Sequence, residues 1–504
     1  MTTPAPIDVQ PERGRDLAAI EGTLVVFADG EGKLGPAAAA LDKAAGGALG
    51  RAVADPEFKA KAGTVRALRY PAGVVAKTVI LACLGAGPDR AAARKTGGAI
   101  AKAMGKGGVT LCTSDAAADK LVAELVWALA LRLYDFRDYK TADDENGDNG
   151  GDSGGDSGGA RTITVLTRRP AALRKLSAPF AALAEGIFFT RDLVNEPANR
   201  LTTDEFAARL TALTALGIEV EVLGEEALAK LGARALLAVG QGSPSESRIV
   251  VMKWLGGAKR DAPLALVGKG VVFDTGGISI KGAGGMEEMT MDMGGAGVVA
   301  GVMRTLALRQ AKANVIGVVG LVENMPDGLA QRPGDIVKSM KGDTIEVINT
   351  DAEGRMVLCD ALWYAQQTFK PRAVIDLATL TGAIVVALGH HRAGYFANDD
   401  KLADEFGAAA AAVGDEAWRM PLGKPYAKQL KSRLADLKNT GGRAAGAITA
   451  AEFLHRFIED GMPWIHLDIA GVTLASAATE LAPKGATGWG VAALDELIRT
   501  TLEG

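Results

Sequence analysis

Histidine and cysteine, the residues that most often bind transition metals or form disulfide bonds, are scarce in this sequence. Four histidines occur among 504 residues and none forms an HExxH pattern, which excludes the helical zinc site built on that motif. The three cysteines are too few, and odd in number, for a disulfide framework, and no CxxC is present. A reducing cytoplasm is therefore the location that we expect.

Long apolar runs and an excess of one charge are also missing. No stretch approaches the roughly 18 consecutive apolar residues of a membrane span, and the polar first residues lack the apolar segment of a secretory signal. The 56 basic and 60 acidic residues leave a net charge of −4, without the basic run that marks a nucleic-acid partner. We therefore expect neither a membrane nor a nucleic acid as a partner.

The length and the pattern of elements predict an α/β protein of two domains. We predict that residues 1–171 form a smaller N-terminal α/β domain whose polar first residues are mobile. Within it, residues 143–159 contain no apolar side chain, and we predict that they form a disordered acidic Gly/Ser insertion. A helical pattern at 172–194 forms the connection, with a kink or a new helix at Pro179. Residues 195–504 predict a larger three-layer α/β/α domain with a mixed central sheet.

A first charged cluster lies in residues 344–358, TIEVINTDAEGRMVL. A β-rich run over 344–350 is followed by an apolar helical pattern beginning at Met356, and the turn between them carries Asp351, Glu353 and Arg355. Open α/β sheets place their chemistry at the carboxyl ends of strands, so this turn is a candidate site. Taken alone, these charges could equally form a solvated surface cluster.

A second cluster lies upstream, in residues 263–294. It carries Lys269, Asp274, Lys281 and Asp292 beside a predicted strand and a Gly-rich turn. The two clusters together place four carboxylates next to buried strands, which is unfavourable unless cations neutralise them. Carboxylates without a nearby histidine favour hard divalent ions, and four suffice for two ions. Water between two such ions becomes a hydroxide nucleophile near neutral pH, which suits a hydrolase, a dinuclear phosphoesterase among them.

A glycine pattern follows directly and has two interpretations. Residues 295–300 read GAGVVA and fit the GxGxxA pattern of dinucleotide sites. The preceding segment, MEEMTMD, is a poor buried strand. We therefore predict that these glycines allow a helix, running to about Arg309, to pack closely against the sheet.

Several motifs, in this order, are similar to those of the leucyl aminopeptidase (cytosol aminopeptidase) family, most strongly over 185–495. They are VGKG, FDTGGISIK, MDMGGAG, NTDAEGR, DLATLTGA, ALGHH, GGRAAGAITAAEFL and HLDIAG. The resemblance implies a metal-dependent hydrolase that removes the N-terminal residue of peptides, preferring leucine and other bulky apolar residues. It implies attack by a hydroxide that bridges two metal ions. Some family members also bind DNA as regulators, which is the alternative from another class.

The resemblance also implies individual roles. Asp274 and Glu353 would bridge both metals, Asp351 would complete the more exchangeable position, and Lys269 and Asp292 would complete the tighter one. The implied metal ligands are therefore Lys269, Asp274, Asp292, Asp351 and Glu353.

The implied catalytic residues are Lys281, a charged electrophile for the scissile carbonyl, and Arg355, which would hold a bicarbonate acting as general base. Met289 would line the pocket for the first residue, whereas we interpret Met286 and Met293 as core. The positions that would bind substrate or bicarbonate are Met289, Asn349, Ala352, Gly354, Thr379, Leu380 and Gly382.

The cofactors and assembly follow from the same resemblance. The family implies two divalent ions per subunit, Mn²⁺ or Zn²⁺ with Mg²⁺ or Co²⁺ as further candidates, together with bicarbonate. It implies peptides with a free N-terminus as substrates, and a cytoplasmic homohexamer of two stacked trimers.

Overall fold

The computed structural model describes residues 1–105, 107–141 and 161–503, and the insertion predicted at 143–159 lies outside them. The chain divides into two compact units. The smaller comprises Thr2–Ala184 and Ala477–Lys484, and the larger comprises Glu185–Ser476 and Gly485–Gly504. Over the described residues, every helix is too short or too polar to cross a membrane.

The smaller unit is built on a sheet with strand order β1-β6-β5-β2-β4-β3, in which only β3 is antiparallel to its neighbour. Its strands are β1 Ile7–Pro11, β2 Thr23–Ala28, β3 Thr64–Arg69, β4 Thr78–Cys83, β5 Val109–Cys112 and β6 Ile163–Thr167. Its helices are α1 Pro36–Ala44, α2 Ala48–Ala54, α3 Arg90–Ala103 and α4 Asp119–Arg132, and α5 Pro170–Asn195 begins in it. Strands β2 and β4 are buried along their whole length, as their uninterrupted apolar sequences predict.

One expectation for this part of the chain is wrong. The polar N-terminus is ordered, because β1 pairs in parallel with β6 along all five of its residues. Of the two alternatives at Pro179, a new helix is excluded, because α5 is a single element with Pro179 inside it. Segment Ala477–Lys484 also belongs to the smaller unit, and at Gly98 of α3 a Cβ would lie 2.2 Å from the Glu480 carbonyl oxygen.

The larger unit contains an eight-stranded sheet with strand order β15-β14-β17-β13-β9-β10-β8-β7. Its first strands and helices are α6 Thr203–Thr211, β7 Glu219–Leu223, α7 Glu225–Leu231, α8 Arg234–Gly240, β8 Arg248–Leu255, β9 Leu264–Asp274, α9 Gly294–Leu308, β10 Asn314–Asn324, β11 Ile336–Lys338, β12 Thr344–Glu346 and α10 Gly354–Phe369. The remainder are β13 Ala373–Ala378, α11 Gly382–Leu388, β14 Ala393–Ala397, α12 Asp400–Val413, β15 Ala417–Arg419, α13 Lys424–Ala427, β16 Leu437–Lys438, α14 Gly446–His455, β17 Trp464–Asp468, β18 Leu474–Ala475, β19 Gly485–Ala486 and α15 Val491–Thr501.

The central sheet of this unit is mixed, which confirms the predicted fold class. Strands β10, β9, β13 and β17 are parallel, whereas β8 and β14 run antiparallel beside them. Helices α8, α10 and α14 pack on one face, and α9 packs on the other, where α15 contacts both α9 and α12. The apolar strands are therefore covered on both sides.

The strand predicted over 344–350 is wrong in extent and in place. Only Thr344–Glu346 forms a strand, and it belongs to a separate three-stranded sheet of order β11-β12-β16. The turn with Asp351, Glu353 and Arg355 is therefore not the end of a strand of the central sheet. It reaches that sheet because α10, which starts at Gly354, packs against β9 and β10.

The glycines at the start of α9 serve close packing, as predicted. A Cβ on Gly295 would lie 2.0 Å from the carbonyl oxygen of Leu377 in β13. The helix thus approaches the strands at a distance that a larger residue would prevent.

Candidate metal centre

Polar side chains gather where four parallel strands of the larger unit end. Strand β9 ends at Asp274, β10 at Asn324 and β17 at Asp468, while Thr379 directly follows β13. Because these strands are parallel, their carboxyl ends meet at the same edge of the sheet. The candidate site is built on this edge.

A buried lysine connects the two charged clusters of the sequence. The Lys269 side chain is 2 % exposed, and its ammonium donates to Asp292 Oδ1 at 2.7 Å. It also donates to the Thr379 carbonyl at 3.0 Å and pairs with Glu353 Oε1 at 2.7 Å. A Cβ on Gly354 would lie 2.7 Å from Lys269 Cδ, so a larger residue at the start of α10 would crowd this side chain.

A second lysine completes the cluster. The Lys281 ammonium lies 2.8 Å from Asp274 Oδ2 and also contacts the Asp351 carboxylate. Asn324 Nδ2 donates to Asp274 Oδ1 at 2.7 Å and holds that carboxylate from the opposite side. All five predicted metal ligands and Lys281 are thus brought together from segments far apart in the chain.

The pKa values of these groups reflect their crowding. Burial lowers the pKa of Lys269, but the surrounding carboxylates, led by Asp292, outweigh burial and raise that pKa above its ordinary value. The pKa of Lys281 is raised by the same balance, with Asp274 as its strongest partner. Burial and neighbouring carboxylates raise the pKa of three acids, Asp292, Asp351 and Glu353.

The donor set fits divalent cations. Carboxylate oxygens of Asp274, Asp351 and Glu353 lie within 4.8 Å of one another. Asp292 Oδ2 is buried and accepts no hydrogen bond from any residue that the structure describes. Two ammonium groups offset only half the charge of four carboxylates, so oxygen-preferring dications are favoured at this cluster.

Arg355 provides a buried positive charge beside the acids. Its Nη1 donates to the Asn439 carbonyl at 2.9 Å, while its buried Nε makes no hydrogen bond within the described ranges. Burial lowers the pKa of Arg355 to about 10, opposed by Glu353 and Asp468, so the guanidinium stays charged at neutral pH. An unpartnered N–H at the start of a helix fits a small anion.

The predicted substrate positions lie on three segments. Met289 is partly buried in the 3₁₀ helix Met286–Met293, and of the two methionines predicted as core, Met293 is buried and Met286 only partly so. Thr379 uses its hydroxyl to donate to Asp292 Oδ1 at 2.8 Å. The other five positions lie in the turn after β12 and the first residue of α10, or in the loop after β13 and the first residue of α11: Asn349, Ala352, Gly354, Leu380 and Gly382.

Sequence reasoning missed three polar residues that support this cluster. Asn324 binds Asp274, and Asp468 accepts from the Leu380 amide at 3.1 Å and the Thr381 hydroxyl at 2.6 Å. Both end apolar strands, which is a signal that could have found them. Asn439 lies outside any such pattern and is found only through its contacts.

A two-unit α/β fold with buried carboxylates and lysines at the carboxyl edge of its larger sheet defines a metal-dependent hydrolase. The chain belongs to the cytosol aminopeptidase family: the family's catalytic domain matches residues 188–495 and its N-terminal domain matches residues 25–143. It is therefore a metal-dependent aminopeptidase, which confirms the resemblance, and the DNA-binding and phosphoesterase alternatives are not favoured.

Individual members of the family are similar to this chain over nearly its whole length. The probable cytosol aminopeptidase of Cereibacter sphaeroides is 57 % identical over 504 residues, 100 % of both chains. A tomato leucine aminopeptidase variant is 30 % identical with a TM-score of 0.83, covering 99 % of this chain and 97 % of its own. The bottromycin maturation enzyme BotP, solved in complex with Mn, is 31 % identical with a TM-score of 0.81, covering 95 % and 99 %.

Proposed function

We propose that this enzyme removes leucine and other bulky apolar residues from the N-terminus of peptides, using two divalent ions and a bicarbonate. The observation that carries the proposal is the convergence of four carboxylates on two lysines, with Asp274, Asp351 and Glu353 within 4.8 Å of one another. The Mn complex of BotP supports manganese as one suitable ion, with Zn²⁺, Mg²⁺ and Co²⁺ as further candidates.

The residues that would hold the ions are the five of the two clusters. Asp274 and Glu353 would be shared by both ions, Asp351 would serve the more exchangeable one, and Lys269 and Asp292 the tighter one. When bound, the ions supply a Lewis acid and activate water at neutral pH. Lys269 would serve as a neutral amine, and its deprotonation requires a dication because the surrounding acids raise its pKa.

Lys281 is the proposed electrophile. Its side chain is 23 % exposed, so it faces the open side of the cluster rather than the core. Its raised pKa keeps the ammonium charged at neutral pH, which suits stabilisation of the oxyanion formed from the scissile carbonyl.

Arg355 is the proposed holder of bicarbonate. Its buried Nε has no partner in the described part of the chain, and it lies in the first turn of α10, where free N–H groups favour an anion. The bicarbonate would supply a proton acceptor for the attacking water. Asn349, Ala352, Gly354, Thr379, Leu380 and Gly382 are the proposed substrate- and bicarbonate-binding residues around these groups, and Met289 would line the pocket for the first side chain.

We propose that the enzyme requires a free N-terminus in its substrate. Asp292 would hold the tighter ion, and the α-amine of a peptide would bind that ion only when the amine is unprotonated and unblocked. A blocked amine would not fit, which favours an exopeptidase. The family resemblance supports a cytoplasmic homohexamer, and we retain 171 and 195 as the proposed domain boundaries.

The test offers the Mn²⁺-loaded protein three substrates: leucine p-nitroanilide, its N-acetylated form and p-nitrophenyl phosphate. We expect cleavage of the first alone. A second assay compares alanine and lysine p-nitroanilide with the leucine compound, and faster cleavage of either would overturn the proposed preference. Cleavage of the acetylated compound would overturn the role of the free amine.

A further inference from the structure

We propose that Asn439 is a positioning residue for this site: its side chain holds the turn that carries Asp351, and its main chain holds Arg355. The inference rests on the proposed function of those two residues. Asn439 follows β16, far along the chain from the turn that it contacts, and its side chain is completely buried.

The side-chain amide of Asn439 binds the turn on both sides. Its Oδ1 accepts from the backbone amides of Ile348 at 2.8 Å and Asn349 at 3.3 Å. Its Nδ2 donates to the Asn349 carbonyl at 2.6 Å, and the Ala352 carbonyl lies at the outer limit of 3.5 Å. One buried side chain thus satisfies several backbone groups of an irregular segment that lack a strand partner.

These contacts extend the pairing of β12 with β16 beyond the last residues of the two strands. Strands β12 and β16 pair in parallel only as far as Glu346 and Lys438. The Asn439 backbone amide makes the next ladder bond, to the Glu346 carbonyl at 3.0 Å. Beyond that bond the side-chain amide takes the place of a peptide group, so the turn is held although the strand has ended.

The same residue orients the guanidinium. The Asn439 carbonyl oxygen accepts from Arg355 Nη1 at 2.9 Å, and the unpartnered Nε of Arg355 is left for an anion. The distance between the turn and Arg355 is therefore set in part by one residue that touches both. Among the described residues, Asn439 makes no hydrogen bond to a proposed metal ligand, so it acts through the segment that bears Asp351 and Glu353.

A purely structural asparagine offers the matched control. Asn314 is also buried at the start of β10, accepts from the Gly257 amide at 3.0 Å, and donates to the carbonyls of Ala258 at 2.8 Å and Asp261 at 2.9 Å. It has the same chemistry and a similar set of backbone partners. It lies at the amino end of its strand, whereas the metal cluster lies at the carboxyl ends.

The experiment compares Asn439→Ala with Asn314→Ala in the full-length protein. We expect Asn439→Ala to lower Mn²⁺ affinity at the weaker site about 10–100-fold, as removal of residues that orient metal ligands does, and to lower kcat for leucine p-nitroanilide. Asn314→Ala should lower Tm while leaving Mn²⁺ affinity and kcat at wild-type values. Asn439→Ser, which keeps one hydrogen-bonding oxygen, should recover part of the affinity. Wild-type affinity and kcat in Asn439→Ala would overturn the proposal.

A second measurement does not depend on metal or activity. In metal-free protein, amide hydrogen exchange over 348–352 should be at least about ten-fold faster in Asn439→Ala and Asn439→Ser than in wild type or Asn314→Ala, because lost hydrogen bonds allow local opening. Unchanged exchange in that segment would overturn the positioning role. Failure of the proposed function is seen separately, as a wild-type protein that does not cleave leucine p-nitroanilide.

Discussion

The six-stranded and the eight-stranded sheet both place acids at the carboxyl ends of their parallel strands, but the two sheets use these acids differently. In the smaller unit, Asp29 follows β2 and accepts from the backbone amides of Glu31 at 2.9 Å and Lys33 at 2.8 Å. Asp115 lies after β5 and accepts from the Ala37 amide near the start of α1 at 2.7 Å. In the larger unit, four acids meet each other and two lysines instead.

Room for a ligand does not account for the difference. The smaller unit has a pocket of about 570 Å³ beside α1, lined in part by Arg13, Leu41 and Arg168. The group of acids able to hold a metal, among the described residues, is nevertheless Asp274, Asp351 and Glu353 in the larger unit. What makes the site is that its carboxylates converge on each other without enough backbone amides to satisfy them.

The largest effect should come from replacing Asp274 in the larger unit, and the matched comparison is the replacement of Asp115 in the smaller unit. Asp274→Asn removes the carboxylate that contacts Lys281, so we expect loss of bound Mn²⁺ and a fall in kcat of at least about 10⁴-fold. Asp115→Asn should keep full activity and lose roughly 1 kcal/mol of stability, because only a neutral acceptor remains for the Ala37 amide. Metal analysis, kinetics and urea unfolding measure these outcomes, and full Mn²⁺ occupancy in Asp274→Asn would contradict the comparison.

The next largest effect concerns the two cations of the site. Lys281→Ala and Arg355→Ala should each lower kcat about 10²–10³-fold, since the first removes the charge that stabilises the oxyanion and the second removes the proposed holder of the bicarbonate base. Both variants should keep their metal, in contrast to Asp274→Asn. Elemental analysis beside steady-state kinetics makes the distinction, and unchanged turnover in both variants would refute their assignment.

Asp360 is a buried acid outside the cluster that is held mainly by backbone amides, so it separates the effect of burial from the effect of crowded carboxylates. Burial raises the pKa of Asp360 to about 7, against the backbone amides of Met340 and Leu236, which lower it. The folded protein therefore binds a proton that the unfolded chain, with a pKa near 3.9, releases. Its contribution to the free energy of unfolding is fully present below about pH 4 and is lost as the pH rises through about 7.

Urea unfolding of metal-free wild type and Asp360→Asn checks this sign. The stability of wild type relative to the variant should fall by roughly 2–4 kcal/mol between about pH 4 and pH 8, because each pKa unit is worth about 1.4 kcal/mol. A difference that rises with pH would show that the backbone amides outweigh burial.

The smallest effect tests the packing around the buried lysine. Gly354→Ala places a Cβ 2.7 Å from Lys269, so we expect a loss of about 1–3 kcal/mol from overpacking. Gly328→Ala is the control, because a Cβ there meets nothing within 4 Å. Thermal unfolding measures both variants. Equal Tm values for Gly354→Ala and Gly328→Ala would mean that the Lys269 side chain moves aside without strain.

Much of the site could be predicted because its residues follow strong local patterns. Lys269 and Asp274 lie on a continuous apolar strand, and Asp292 directly precedes an apolar helix. The turn at 349–355 brings Asp351 and Glu353 to the cluster, whereas the strand predicted before it is wrongly placed, because β12 has three residues and pairs with segments that no periodicity identifies. The role of Asn439 depends on a contact between distant segments, which local sequence does not encode.

The smaller unit cannot be completed early during synthesis, because β1 pairs with β6 and because Ala477–Lys484 belongs to the same unit. On the ribosome the first strand must wait until residue 163 has emerged before its partner exists, and α3 acquires its Glu480 neighbour only when the polypeptide is almost finished. Truncation before Ile7 should be tolerated. Deletion through Pro11 would remove β1 and leave β6 as an unpaired edge strand, which favours aggregation. A purification tag is therefore best placed upstream of Ile7 with a spacer.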